Sequence, residues 1–252
     1  MTQEVLSKVP AVTLGFWIIK ILATTLGETG GDTVTMTMDL GYLTGTVIFL
    51  SALLVLVFIQ IRARQFRPFL YWSTIVASTT AGTTMADFAD RSLGIGYAGG
   101  SVVLLLCVLA ILWMWFHAEG SVSVNTVSTP RVEAFYWATI TFSQTLGTAL
   151  GDWMADDTGL GYIGAALVFG AALAIVAAAY FWTSISRVAL FWIAFILTRP
   201  LGATVGDYLT KEEGLNLGNA KSTLILSVVF VVIVIAARLL RRPPVPAPPV
   251  EA

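Results

Sequence analysis

Two kinds of apolar stretch alternate along the chain. One kind is nearly pure hydrocarbon and covers residues 43–61, 97–116, 162–182 and 219–237, with only Lys221 charged between their ends. Each is long enough to cross a bilayer core, which takes roughly 20 residues of helix. The other kind is apolar on most positions but threaded with glycine, threonine, serine and single charges. Its four examples are FWIIKILATTLGETGGD from Phe16, YWSTIVASTTAGTTMAD from Tyr71, YWATITFSQTLGTALGD from Tyr136 and FWIAFILTRPLGATVGD from Phe191. They align without a gap. An aromatic precedes Trp17, Trp72, Trp137 or Trp192, and Gly27, Gly82, Gly147 or Gly202 follows ten residues later. A small residue comes four further on (Gly31, Ala86, Gly151, Gly206), and then Asp32, Asp87, Asp152 or Asp207.

The copies start 55, 65 and 55 residues apart, so the chain reads as two pairs of repeats around a longer middle linker. Each repeat supplies one motif-bearing span and one plain span. The pattern therefore predicts an all-α integral membrane protein of eight transmembrane helices. Repeats with two crossings all point the same way, which implies pseudo-rotational symmetry about the membrane normal. The division expected is a first membrane half at 1–118, a cytoplasmic linker at 119–132, a second half at 133–240 and a disordered proline-rich tail at 241–252. Lys8, Arg62, Arg64, Arg67, Arg131, Arg187, Arg238, Arg241 and Arg242 fall on one side of this topology. By the positive-inside rule that side, with both termini, is cytoplasmic.

Composition agrees: 57% of the 252 residues are hydrophobic and 12% charged, about half the charge of an ordinary soluble domain. The lone Cys107 lies in an apolar run and offers neither a disulfide nor a metal site. His117, the only histidine, follows WMWF at a helix end, so no Ser/His/Asp or His/Cys constellation can form and an enzyme is not expected. No phosphate loop and no basic aromatic patch for nucleic acid is present, and no cofactor is implied.

On a helical wheel the tryptophan, the small pair and the intervening polar residues share about 100° of arc. The pairs Gly27/Gly31, Gly82/Ala86, Gly147/Gly151 and Gly202/Gly206 are small-xxx-small motifs that let helix backbones approach in a bilayer. The tryptophans, near the first turn of each span, read as headgroup anchors. If the small faces bring the four helices together, Asp32, Asp87, Asp152 and Asp207 meet as a ring or as two pairs. Either they cap the segments that follow or hydrogen-bond a neighbouring helix's backbone, or they bind a cation, since ionisable groups at membrane depth mark ion pathways.

Three charges break the repeat: Lys20, Glu28 and Arg199. The other copies have Thr24, Thr79 and Gln144 at the Arg199 column, and Thr83, Thr148 and Ala203 at the Glu28 column. Lys20 and Glu28 lie two turns apart on one face, so Glu28 is expected to pair with Arg199 or Lys20 inside the bundle.

The recurring tryptophans, with the matched columns over residues 12–238, resemble a family of bacterial inner-membrane proteins built from four tandem copies of a repeat of unknown function. The fourth copy departs most, with TRPLG and GLNLG where the others are threonine-rich and end GLGY or similar. The resemblance implies the topology and a bacterial inner-membrane address, but no activity.

The leading functional expectation is a small secondary transporter of a divalent, Mn²⁺-like cation. Its metal ligands would be Asp32, Asp87, Asp152 and Asp207, with Glu28, Gln144, Thr83 and Thr148 lining the path and Lys20 and Arg199 coupling charge. The acid-rich outer loops would concentrate cations. Thr25, Thr80 and Thr145 are further oxygen donors, and Met36, Met38, Met85 and Met154 lie near the aspartates. The alternatives are transport of a small organic anion through Lys20 and Arg199, and a non-transporting membrane scaffold in which every polar group joins helices. The partners expected are the lipid bilayer and a small ion or solute; the plain helices offer faces through which two copies could pair as a homodimer.

Overall fold

Local chemistry opens each motif helix where the alignment places it. Thr13, Thr129 and Ser186 accept hydrogen bonds from the backbone N–H three residues on, and Pro68 and Pro130 sit in first turns that need no N–H donor. The resulting motif helices are α1 (Leu14–Asp32), α3 (Pro68–Asp87), α5 (Pro130–Asp152) and α7 (Arg187–Thr210). The plain helices are α2 (Gly41–Arg62), α4 (Tyr97–Glu119), α6 (Gly161–Trp182) and α8 (Asn219–Leu239). They match the apolar runs to within three residues. The computed structural model describes residues 7–239, among which there are eight long helices and no strand. The tail at 241–252 lies outside the described residues.

Five helices (α2, α4, α6, α7 and α8) are long and apolar enough to cross a membrane, and the chain is a membrane protein with an internal repeat. The other three, α1, α3 and α5, carry the polar columns on their buried faces.

The four motif helices pack as a closed ring in the order α1, α3, α5, α7 and back to α1, and each plain helix lies outside the next motif helix: α2 on α3, α4 on α5, α6 on α7, α8 on α1. Each half of the chain contributes two motif helices to the ring. The glycines make the ring. A Cβ on Gly27 would strike Thr79, on Gly82 Gln144, on Gly147 Arg199, and on Gly202 Thr24. Each first glycine receives the same repeat column of the next helix. Likewise Gly31 faces Thr83, Gly151 faces Ala203 and Gly206 faces Glu28; Ala86, the copy with a Cβ, is buried.

Inside the ring, every fourth residue is buried from the aromatic to the aspartate. The columns are 16-20-24-28-32, 71-75-79-83-87, 136-140-144-148-152 and 191-195-199-203-207. A stride of four drifts about 40° per step from a straight line on a helix. Helices that keep such a stride central must cross obliquely, which is how i, i+4 ridges interdigitate.

The aromatic layer closes one end. Phe16 meets Trp72 at 5.6 Å between centroids, Tyr71 meets Trp137 at 5.7 Å, Tyr136 meets Trp192 at 6.1 Å and Phe191 meets Trp17 at 5.6 Å. Tyr71 and Tyr136 share a hydrogen bond of 2.6 Å between hydroxyls. Three of the tryptophans are buried (Trp72 4%, Trp137 3%, Trp192 4% exposed), which corrects their reading as headgroup anchors. Their indoles fill the space between like helices instead. The middle linker is part of this core: Val122 O accepts from Trp192 Nε1 at 2.9 Å, and Val124 and Val127 are buried against the rings.

Lys8 was legible only as a basic residue of the same end. It is buried, 2.5 Å from the equally buried Glu133, and donates to the carbonyls of Gln60 and Ile61 at 3.2 Å. The ion pair ties the N-terminal segment to α5, and the two hydrogen bonds tie it to α2.

Candidate functional site

At the opposite end from the rings, the motif aspartates close the inward columns. In the first three repeats the helix then widens into a π-helical turn, at Thr33–Thr37, Phe88–Ser92 and Trp153–Asp157. Such turns occur often at functional sites. Asp32, Asp87 and Asp152 make no side-chain cap to these turns, so capping does not explain them. All four aspartates are buried, at 2–5% exposure.

The four are linked through cations. They form two pairs, each bridged by a cation from the same end of the bundle. Lys211 Nζ lies 2.8 Å from Asp32 Oδ2 and 3.4 Å from Asp207 Oδ1. Arg91 Nε lies 3.0 Å from Asp87 Oδ1, and its Nη2 is 3.8 Å from Asp152 Oδ2. Both cations stand four residues after the aspartate of their own repeat, so one helical turn aims them back at it. Repeats 1 and 3 have Met36 and Asp156 at that position. The sequence carried this signal, a basic residue at aspartate plus four in alternate repeats, but Arg91 and Lys211 read only as loop charges.

The pairs differ in their third member. Glu28 joins Asp32 and Asp207, with one carboxylate oxygen from each within 4.8 Å of the others, all three residues buried. Among the described residues this is the one acidic group of metal-holding geometry. Lys211 reaches it from a side chain 21% exposed, and its ammonium is also 3.7 Å from Met36 Sδ. Burial alone would lower the Lys211 ammonium, but the fields of Asp207, Asp32 and Glu28 outweigh it and hold the group above its ordinary value. Asp87 and Asp152 are not members of this group.

One layer inward, Arg199 crosses the axis. Its Nη2 donates to Glu28 Oε2 at 2.8 Å and lies 2.6 Å from the hydroxyls of both Thr83 and Thr148. Thr83 donates in turn toward Glu28 Oε2 at 3.3 Å. Glu28 therefore pairs with Arg199 and not with Lys20. Thr83 and Thr148 brace the guanidinium, and Gln144 lies deeper, accepting from Lys20 Nζ at 3.4 Å. Lys20 also stands over the Phe195 ring at 4.2 Å. Thr25, Thr80 and Thr145 return their hydroxyls to carbonyls of their own helices. Met154 packs among apolar residues and Met38 is exposed. Two clefts, of about 490 and 560 Å³, open near the aromatic end and include none of the carboxylates.

No curated protein and no solved structure matches the chain. A family model described as a Repeat of Unknown Function (DUF347) matches it four times, over residues 15–66, 70–121, 135–186 and 190–243. These four matches take in every motif helix and every plain helix of the ring, and the chain belongs to the DUF347 repeat family.

Proposed function

We propose that the protein is a secondary transporter of a divalent, Mn²⁺-like cation, with Glu28, Asp32 and Asp207 as the primary ligands. The observation that carries this reading is Lys211, whose ammonium already sits as a tethered cation between Asp32 and Asp207. A cation arriving from that end would take its place. Charge favours a divalent ion. With all groups ionised, three carboxylates against Arg199 and Lys211 leave one negative charge. A divalent ion in place of Lys211, with Arg199 retained, brings the cluster to neutrality, whereas a monovalent ion changes nothing. Carboxylate oxygens suit Mg²⁺ and Mn²⁺, and the Met36 thioether beside the cluster tilts the preference toward a first-row metal.

In this reading all eight helices cross the bacterial inner membrane. Supporting it, α1, α3 and α5 occupy positions in the ring equivalent to that of α7, itself apolar and long enough to span. Arg62, Arg64, Arg67, Arg131, Arg187 and Arg238 gather toward the aromatic end, which is then cytoplasmic, and the carboxylates face outward. Asp87 and Asp152, closed by Arg91, act as the structural counterpart of the site.

The test is metal flux in liposomes carrying the purified protein and an internal divalent-metal indicator. Wild type gives a saturable Mn²⁺ signal, Asp207→Asn reduces it at least about ten-fold, as expected for loss of a charged ligand, and Asp87→Asn keeps it within about two-fold. Flux no greater than in protein-free liposomes, under every imposed ion and pH gradient, overturns the reading.

A further inference from the structure

The layers between the Arg199–Glu28 pair and the aromatic rings hold an excess of idle donors. Arg199 Nη2, with two protons, lies within reach of Glu28, Thr83, Thr148 and the Thr79 carbonyl, while Nε and Nη1 have no hydrogen-bond partner. Gln144 Nε2 has none either, and neither has the Thr79 hydroxyl. Lys20 Nζ has one long hydrogen bond, to Gln144 Oε1, and the face of Phe195. Lys20, Thr79, Gln144 and Arg199 are each fully buried. Buried polar groups nearly always find partners. The amide orientation follows from Lys20: the ammonium takes the carbonyl oxygen, and turning the amide over would set donor against donor.

We infer that this layer binds a small monovalent anion of the chloride type, held by Lys20, Gln144 and Arg199. A water molecule is not sufficient. It accepts two hydrogen bonds at most and carries no charge, whereas the idle groups on Lys20, Gln144 and Arg199 only donate. Charge makes the same demand. Lys20 has no carboxylate within 4.0 Å among the described residues, and Glu28, two turns along the same helix, is taken by Arg199. Lys20 is therefore left without a paired carboxylate, the partner that a monovalent anion supplies. The size follows from the surroundings: the Lys20 layer is otherwise Ile75, Ile140 and Phe195, all fully buried. A weakly hydrated halide suits that mixture of donors and hydrocarbon. Arg199 joins this layer to the carboxylate cluster through Glu28, but the inference does not rest on the cation reading.

The experiment is melting of detergent-purified protein in chloride or bromide against gluconate, at constant ionic strength and with the same cation throughout. Wild type is stabilised saturably by chloride and bromide. Lys20→Met weakens the apparent halide affinity about ten-fold or more, the effect of losing a charged hydrogen bond. Gln144→Glu places a tethered carboxylate beside Lys20, so that variant folds and melts independently of halide. Asp207→Asn, which removes a cation ligand, retains the halide shift. Identical melting in chloride and gluconate overturns the inference. So does a shift that rises linearly without saturating, or one that survives unchanged in Gln144→Glu; the last decides the matter even if Lys20→Met fails to fold.

Discussion

Gly82→Leu will prevent accumulation of folded protein, while Gly170→Leu will be close to neutral. A Cβ at Gly82 would lie 2.9 Å from the backbone carbon of Gln144 and 2.9 Å from the backbone nitrogen of Thr145. Backbone cannot swing aside as a side chain can, so leucine forces α3 and α5 apart. That separation also strains the Tyr71–Tyr136 hydrogen bond between the same two helices, and the contact of Arg91, in the turn after α3, with Asp152. Overpacking of a well-filled core costs roughly 1–3 kcal/mol and occasionally more, and four added carbons against backbone belong at the top of that range. Gly170, in the middle of α6, has nothing within 4 Å of a built Cβ, and leucine there gains helix propensity. Size-exclusion profile and melting temperature in detergent check both. Equal behaviour of the two variants contradicts the glycine-built ring.

Arg199→Met will be the most damaging loss of a single charge. It leaves Glu28 buried at 3% exposure with Thr83 as its remaining partner, and breaking a buried ion pair by removing one member typically costs about 3–5 kcal/mol. The double variant Arg199→Met/Glu28→Gln, in which no unpaired charge remains, recovers most of that loss. Melting temperatures of the two single variants and the double variant give the coupling directly. A double variant no more stable than Arg199→Met shows that the guanidinium stabilises the bundle through the threonines and not through Glu28.

The repeat was readable because it is periodic: one aromatic, one tryptophan, two small residues and one aspartate recur at fixed spacing, and a fixed spacing on parallel helices must generate a ring. The plain helices were readable for a simpler reason, since hydrocarbon length alone delimits them. What the sequence hid is which copies meet across the ring. Nothing local in the Asp32 repeat says that its partner is Asp207, 175 residues away, or that Lys211 closes the pair. The Glu28–Arg199 pair could be narrowed only to Arg199 or Lys20, because both cations lie on inward faces. The tryptophans misled because a headgroup anchor and an interior plug begin in the same first turn of a membrane helix. The pairing of Lys8 with Glu133 was not legible, since a charge at a helix end is ordinarily solvated and here the N-terminal segment folds back over it.

The central claim is that Lys211 occupies a cation site made by Glu28, Asp32 and Asp207. Calorimetric titration of Mn²⁺ into purified wild type, Lys211→Met, Asp207→Asn and Asp87→Asn tests it most directly. Removing the resident ammonium leaves the site open, so Lys211→Met binds Mn²⁺ several-fold more tightly than wild type. Asp207→Asn loses saturable binding, and Asp87→Asn keeps it. Absence of saturable binding in Lys211→Met, or its loss in Asp87→Asn as complete as in Asp207→Asn, contradicts the claim.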